Sequence, residues 1–356
     1  MLSGVGGTQM RAAGVDLLYD SSTWGTIGIA ESLRHAPSLM AKFRTIVHHL
    51  CTSPPQVLVL IDFGFFNLRI ARVAHRRGLA TLYYLPPHSW SRELGSRGEL
   101  PWLVDCIATP FPWSQALLSG GTAQVQWVGH PLLDTVWPTL SREEAATHWE
   151  LDRTQPLVAL VPGSRLQEIK HLLPVFLEAA RLLRQKLAGA QFLITVAPAV
   201  REVVKAQLAH APVPLVVLEG MDYNALQLAH VALATSGTAT LELTYLQIPM
   251  VIAYRASFGT WLQYRWARRQ GKLQVIGLPN IIAQRQVVPE LLQAEATPQR
   301  IAEEATRLLT DHAYHQTVVA GLAQVATELG EPGATRRTAE MVLALAAERF
   351  PARGNS

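Results

Sequence analysis

The stretch of residues 226–254, LQLAHVALATSGTATLELTYLQIPMVIAY, constrains the fold most strongly. Residues 231–234 are short, apolar and partly β-branched, which predicts a buried strand. The next four residues are small or helix-capping, and good helix formers occupy 239–246. Pro249 stops that helix, and 250–254 predicts the following strand. The stretch therefore predicts a strand–turn–helix–strand unit of a parallel sheet.

The turn of this unit suits an anion. Free backbone N–H groups at a helix N-terminus, here around Ser236, Gly237 and Thr238, favour phosphate. Glu242 follows Thr238 by one helical turn on the same face, where a carboxylate can accept hydrogen bonds from the paired hydroxyls of a sugar. The alternative is an ordinary capped helix with a solvent-facing Glu242, and this stretch alone leaves both open.

A second turn of the same kind lies earlier in the chain. Residues 157–161 predict a buried strand, and Pro-Gly-Ser-Arg at 162–165 leads into a helix over 167–187. Small residues again stand at the helix start, and Arg165 can form a forked contact with phosphate oxygens. Two phosphate-suited turns in one doubly wound domain are more informative than either alone.

The front of the chain predicts a strand at 57–61 with Asp62 at its carboxyl end. Because the carboxyl ends of parallel strands line the ligand crevice, Asp62 is a candidate general base. The alternative is that Asp62 caps the helix after it. His88 and Trp90 suit either a substrate wall or a packed loop. The other strands predicted in this half are 81–85, 103–108 and 125–128.

The first fifty residues predict a turn at 1–10 and helical structure only over 24–50. Residues 1–10 predict a glycine-rich turn with no strand ahead of it. Apolar side chains over 24–50 follow a roughly helical spacing that Pro37 interrupts, which predicts two short helices. Their apolar face packs into a core or, in part, contacts acyl chains.

Composition narrows the class of protein. The 356 residues are 49% hydrophobic and 16% charged, which predicts a globular chain of two domains. Cys51 and Cys106 predict free thiols in a reducing compartment. No basic and apolar leader and no run near ~18 apolar residues is present, so we expect a cytoplasmic protein. The net charge of +4 predicts an anionic small molecule or membrane surface as partner, and no nucleic acid.

Residues 258–272 combine aromatic and basic side chains. Trp261, Trp266, Arg268 and Arg269 are typical of an amphipathic helix lying at a lipid headgroup interface. The alternative is a conventional surface helix.

Four stretches together resemble the lipid A disaccharide synthase family, which consists of two-domain glycosyltransferases of the GT-B class. The resemblance covers nearly the whole chain and is densest after Trp127. The stretches are VGHPLLD at 128–134, PGSRLQEI at 162–169, SGTATLE at 236–242 with PMV at 249–251, and LPN at 278–280 with PELLQ at 289–293.

The resemblance implies an α/β fold of two Rossmann-like, doubly wound domains that face each other across a cleft. Residues 1–135 would form the acceptor-binding domain and 136–156 a linker. Residues 157–333 would form the UDP-sugar domain, followed by a C-terminal helix and tail at 334–356.

The resemblance also implies an inverting transfer at the inner face of the cytoplasmic membrane, without metal or cofactor. A 2,3-diacylglucosamine unit would pass from its UDP conjugate to 2,3-diacylglucosamine 1-phosphate. Asp62 would take the proton from the acceptor hydroxyl, and Glu242 would bind the ribose. Further implied contacts are Arg165 and 236–238 for the diphosphate, Asn280, Glu290 and Gln293 for the donor pocket, and Asn67, His88, Trp90 and His130 on the acceptor side.

The front half departs from the family pattern. The family begins with a strand and a Ser-Gly-Asp loop ahead of its glycine-rich turn, and we expect this chain to lack both. The family's Asp-Ala-Pro-Asp-Phe-Asn stands here as DFGFFN at 62–67. Two alternative functions remain: a nucleotide-sugar-binding protein without turnover, and an enzyme with another acceptor or with UDP-sugar epimerase activity.

Overall fold

The computed structural model describes residues 2–21, 29–87, 89–91, 95–255 and 275–351, with only the backbone at 29–37, 65 and 95–97. Internal packing divides the chain into two units, Met1–Pro55 and Gln56–Ser356.

The first unit differs from the sequence prediction in two ways. Its glycine-rich start forms a strand, because strand β1 gains backbone hydrogen bonds from a parallel partner, β2, with Ser3 opposite Asp16. Pro37 lies inside one long helix of 24 residues and does not divide it in two. A proline removes one backbone hydrogen bond, and the remaining hydrogen bonds of so long a helix are kept. The elements are β1 (Ser3–Gly6), α1 (Thr8–Ala12), β2 (Asp16–Asp20) and α2 (Ile29–Thr52).

The second unit begins with a four-stranded parallel sheet in the order β3-β4-β5-β6. Its two central strands are buried along their whole length, as continuous apolar runs predict. Gly78 has φ +65° directly after the first helix, the left-handed conformation that commonly ends a helix. The elements are β3 (Leu58–Ile61), α3 (Gly64–Arg76), β4 (Thr81–Tyr84), β5 (Cys106–Thr109), α4 (Pro112–Leu118) and β6 (Gln124–Trp127).

A six-stranded parallel sheet follows, in the order β12-β11-β10-β7-β8-β9. The chain moves outward from β7 to β9 and then returns to the other side of β7, so the strand order reverses between β7 and β10. Such a switch point opens a crevice at the carboxyl ends of the strands. The strands are β7 (Leu157–Val161), β8 (Gln191–Val196), β9 (Val216–Glu219), β10 (Val231–Thr235), β11 (Met250–Tyr254) and β12 (Glu290–Leu292).

Helices cover this sheet and form most of the large core with it. Helix α6 alone buries nine side chains, among them Ile169 and Phe176. The helices are α5 (Arg142–His148), α6 (Leu166–Lys186), α7 (Arg201–Leu208), α8 (Tyr223–Leu226), α9 (Ala239–Tyr245), α10 (Leu278–Ala283), α11 (Pro298–Thr310) and α12 (His312–Glu328).

The last helix, α13 (Ala334–Arg349), returns to the four-stranded sheet. Its Met341 and Leu345 pack in one apolar cluster with Leu82 and Tyr84 of β4. Asp134, which follows β6 in the chain, accepts hydrogen bonds through its carboxylate from backbone N–H groups at the start of α13, including that of Thr335 at 2.8 Å. The chain therefore crosses between the two sheets twice within this unit.

The predicted α/β architecture with parallel sheets is confirmed, and β7 and β11 have the predicted bounds. The predicted domain boundaries at 136–156 and 334 stay a prediction. Cys51 and Cys106 are free thiols. Among the described helices, none combines the length and the apolar content that crossing a bilayer requires.

Candidate functional site

A cavity of about 270 Å³ opens at the carboxyl ends of β7, β8 and β10. This is the switch point of the six-stranded sheet, where open α/β sheets bind ligands. Its lining comes from both phosphate-suited turns and the helices that follow them, from the ends of β7, β8 and β10, and from the segments after β8 and β9. The lining residues are Val161, Gly163, Ser164, Arg165, Glu168, Thr195, Ala197, Gly220, Met221, Thr235, Gly237, Thr238, Ala239 and Glu242.

The first turn requires glycine at position 163. Gly163 has φ +100°, a backbone conformation that side chains disfavour. A Cβ atom there would also collide with Oε2 of Glu168 and with Cγ2 of Thr235, 2.8 Å away in the latter case. The close approach of backbone to these two side chains shapes one wall of the cavity.

Arg165 stands at the N-terminus of the 21-residue helix α6, where the helix dipole also favours an anion. Its side chain is 72% exposed, and Nη1 lies 3.3 Å from Oε1 of Glu168. The Glu168 carboxylate also accepts the backbone N–H of Arg165 at 3.3 Å. The guanidinium is thus largely exposed, and its contact with a diphosphate stays a prediction.

The second turn reaches the cavity through three residues that do not include Ser236. Gly237, Thr238 and Ala239 line the cavity. The hydroxyl of Ser236 instead donates to the carbonyl oxygen of Ile276 at 3.0 Å. A phosphate contact by the Ser236 side chain stays a prediction, and it would require that hydrogen bond to be exchanged.

Glu242 lies in the cavity wall and is half-buried, and its contact with a sugar stays a prediction. Desolvation raises the pKa of its carboxyl group, and a hydrogen bond from Tyr223 opposes that rise. The Tyr223 hydroxyl donates to Oε2 at 3.0 Å. Burial, followed by the charge of Glu242, raises the pKa of Tyr223. Tyr223 carries no local signal in the sequence, because it stands 19 positions before its partner, on α8.

Asn280 and Glu290 face each other in this structure. Asn280 is fully buried, and its Nδ2 donates to the Val288 carbonyl at 2.9 Å and to Oε1 of Glu290 at 2.6 Å. Its Oδ1 accepts the N–H groups of Val287 at 2.6 Å and Val288 at 2.9 Å. All four hydrogen-bonding positions of the amide are thus used within the protein.

The Glu290 carboxylate extends this network to the backbone ahead of α10. It accepts the N–H groups of Ile276 at 2.9 Å and Gly277 at 2.7 Å. Asn280 and Glu290 therefore hold the segment beside the cavity in place. Direct donor contacts by these side chains and by Gln293 stay predictions.

Asp62 and Asn67 lie at the carboxyl end of the four-stranded sheet. Asp62 directly follows β3 and is exposed. The Asn67 amide donates to the carbonyl oxygens of Ile61 and Asp62, both at 2.9 Å. A candidate base therefore stands on one sheet, and the candidate nucleotide cavity is lined by residues of the other.

His130 is a neutral side chain in the folded protein. Desolvation lowers its pKa from 6.5 to about 4. Its Nδ1 accepts the backbone N–H of Leu132 at 3.2 Å, which leaves the proton on Nε2. The ring contacts Phe111, with centroids 5.6 Å apart. If His130 contacts the acceptor substrate, it would therefore do so by a hydrogen bond from its neutral ring and not by a positive charge.

Of the other motif residues, some make contacts within the protein and some lie outside the described residues. Trp90 is half-buried and packs against the large core. Asp134 caps α13; desolvation alone would raise the pKa of its carboxyl group, but hydrogen bonds from backbone 333–335 outweigh it and lower the pKa. His88 and the proposed membrane residues Trp261, Trp266, Arg268 and Arg269 lie outside the described residues.

Within the described part of the chain, no three His, Cys, Asp or Glu side chains lie close enough together to hold a metal ion. Metal-free transfer stays a prediction.

Solved structures of low sequence identity share this fold. A UDP-GlcNAc 2-epimerase of Neisseria meningitidis, bound to UDP-GlcNAc, matches with a TM-score of 0.60 at 14% identity over 96% of this chain and 99% of that one. A spinosyn rhamnosyltransferase matches with a TM-score of 0.56 at 15% identity over 96% and 100%. The four-stranded and six-stranded parallel sheets, with the cavity at the switch point, define a protein with the GT-B fold.

Sequence comparison gives the family. The family model for lipid-A-disaccharide synthetase matches residues 1–344. The lipid-A-disaccharide synthase of Geobacter metallireducens is 39% identical over 341 residues, which are 96% of this chain and 88% of that protein. That of Coxiella burnetii is 35% identical over 342 residues, 96% and 89%. The chain belongs to the lipid-A-disaccharide synthase family and is a glycosyltransferase, so the resemblance inferred from its motifs is confirmed.

Proposed function

We propose that this enzyme joins a UDP-activated 2,3-diacylglucosamine to 2,3-diacylglucosamine 1-phosphate, with Asp62 as the catalytic base. The Asp62 carboxylate takes the proton of the acceptor 6-hydroxyl while the oxygen of that hydroxyl attacks the anomeric carbon of the donor sugar. The bond from that carbon to the diphosphate breaks, and UDP leaves as an anion. Attack opposite the leaving group inverts the anomeric carbon and gives a β-1,6 linkage.

The donor half of the proposal rests on the cavity at the switch point. The exposed Arg165 guanidinium and the N-terminus of α6 supply positive potential for the diphosphate. Gly237, Thr238 and Ala239 line the cavity from the second turn. Glu242, held by Tyr223, accepts the ribose hydroxyls. Preorganised groups of this kind stabilise the charge that develops on a leaving diphosphate.

One observation carries the proposal: a diphosphate-suited cavity on one parallel sheet and an exposed carboxylate at the carboxyl end of the other. Inversion requires the base on the side of the sugar opposite the leaving group. Two separate sheets meet this requirement when the carboxyl ends of their strands face the same cleft.

The test compares the purified enzyme with Asp62→Asn, using both lipid substrates and analysing the products. We expect the variant to form almost no disaccharide and to bind UDP with unchanged affinity by calorimetry. Glu99→Gln is the matched control, since it removes a carboxylate from an exposed ion pair that joins residues 95–102 to Arg72 of α3, the helix that follows Asp62. Ordinary turnover by Asp62→Asn would remove the base assignment, and a free epimerised sugar as product would favour the epimerase alternative.

Location at the inner face of the cytoplasmic membrane is part of the proposal. The substrates are lipids, and residues 258–272 have the aromatic and basic composition of interfacial helices. Replacing Trp261 and Trp266 together with Ser should reduce co-sedimentation with anionic liposomes. Trp102, which is 55% exposed, provides a control substitution to Ser elsewhere on the surface. Equal co-sedimentation of both variants and the wild type would contradict the membrane role.

A further inference from the structure

The backbone around Asp62 has an unusual conformation. Asp62 has φ +47°, and Phe63 has φ +42° and ψ +53°, so two successive non-glycine residues are left-handed. Side chains disfavour this region because Cβ approaches the carbonyl oxygen. Such a conformation persists only where surrounding contacts hold it, and these conformations cluster at functional sites.

Three hydrogen bonds fix the backbone of Asp62. Its N–H donates to the Tyr84 carbonyl at 2.9 Å, continuing the ladder between β3 and β4. Its carbonyl oxygen accepts the Tyr83 hydroxyl at 2.6 Å and Nδ2 of Asn67 at 2.9 Å. Both lone pairs of that carbonyl are thereby occupied.

The two side chains that hold the carbonyl are themselves fixed. Tyr83 is fully buried in β4, so its ring has little freedom to follow a moving turn. Asn67 also donates to the Ile61 carbonyl at 2.9 Å, which ties the end of β3 to the first turn of α3. The Asp62 carboxylate remains exposed while its main chain is held from below.

We propose that Tyr83 and Asn67 are positioning residues for the transfer reaction. They hold the left-handed Asp62–Phe63 turn and thereby set the direction of the Asp62 carboxylate. This inference rests on the proposed function, in which that carboxylate is the base. Tyr83 and Asn67 act on the reaction through Asp62 and do not contact the transferred sugar.

The central experiment is Tyr83→Phe, which removes one hydroxyl and keeps the buried ring. We expect kcat for disaccharide formation to fall roughly ten- to a hundredfold, the loss typical of a misplaced catalytic group. The KM for the UDP-sugar and the affinity for UDP should not change, since the cavity on the other sheet is untouched.

Tyr84→Phe is the matched control. It removes the same atom from the next residue of β4, whose side chain points to the opposite face of the sheet and packs near Met341 and Leu345. Its kcat should equal that of the wild type. A loss of kcat in Tyr83→Phe no larger than in Tyr84→Phe would overturn the inference.

A double variant separates this inference from the proposed function. If Tyr83 acts only through the Asp62 carboxylate, Asp62→Asn with Tyr83→Phe should keep the residual rate of Asp62→Asn alone, measured as disaccharide accumulated over long incubation. A further tenfold loss in the double variant would show that Tyr83 acts by another route and would overturn the inference. Full activity of Asp62→Asn by itself would instead refute the base assignment.

Asn67→Asp provides a second test, because it keeps the shape of the side chain and replaces the N–H donor with an acceptor. We expect a loss of kcat similar to that of Tyr83→Phe, with unchanged UDP affinity. Unchanged kcat in a folded Asn67→Asp would contradict the role given to the amide.

Discussion

The neutral state of His130 makes the stability of this enzyme depend on pH in a defined direction. Its pKa is about 4 in the folded protein, against 6.5 in an unfolded chain. Below pH 6.5 the His130 ring binds a proton in the unfolded chain but not in the folded protein. The free energy of unfolding therefore falls as the pH falls from 6.5 towards 4. Above pH 6.5 the ring is neutral in both states, and His130 no longer lowers the free energy of unfolding.

The magnitude follows from the size of the shift. Each pH unit between the two pKa values corresponds to about 1.4 kcal/mol. From about pH 7 to about pH 5, His130 should therefore remove roughly 2 kcal/mol from the free energy of unfolding.

His130→Asn isolates this contribution. The Asn side chain places an oxygen where Nδ1 of His130 accepts the Leu132 N–H, and Asn is favoured at such capping positions. The variant cannot titrate in this range. Lost ring packing against Phe111 lowers its stability at every pH and cancels when two pH values are compared.

The assay is urea unfolding of both proteins at about pH 7 and about pH 5, monitored by circular dichroism. The wild type should lose roughly 2 kcal/mol more than His130→Asn over this interval. Equal losses in the two proteins would refute a desolvated, neutral His130 and would mean that the ring gains its proton in the folded state.

Two further predictions concern the six-stranded half. Arg165→Ala should weaken UDP binding by about 1.5–3 kcal/mol, the range for a charge-assisted hydrogen bond, and unchanged affinity in calorimetry would mean that the arginine does not bind the diphosphate. Asn280→Ala should lower the free energy of unfolding by roughly 2–5 kcal/mol, since it leaves two buried N–H groups without acceptors. Gln324→Ala, at an exposed position, should have little effect in the same urea titration, and a similarly small effect of Asn280→Ala would contradict the network.

Local patterns predicted much of the fold. Short apolar runs such as 157–161 and 250–254 gave strands with the bounds that the structure has, because a buried strand needs only continuous apolar side chains. The first helix was harder to predict: Pro37 suggested a break, and a long helix absorbs the loss of one hydrogen bond. The strand Ser3–Gly6 was missed because glycine-rich segments have low strand propensity and depend on a partner.

Part of the candidate site could also be predicted from local sequence patterns. Gly163, Arg165 and Glu242 belong to short motifs whose chemistry is contained within a few residues, and all three line one cavity. Tyr223 and Tyr83 carry no such signal. Each matters through a partner about twenty positions away, Glu242 and the Asp62 carbonyl respectively.

The sequence by itself determined most of the strands and helices after residue 56, the two phosphate-suited turns and the family, because hydrophobic periodicity and short motifs act locally. Only the tertiary structure decided what several motif residues do. Asn280 turns inward to bind backbone, and Asp134 caps a helix 199 positions away at Gly333. A polar residue in a motif serves a ligand or the chain according to which partners the folded backbone brings within hydrogen-bonding distance, and residues far apart in sequence supply those partners.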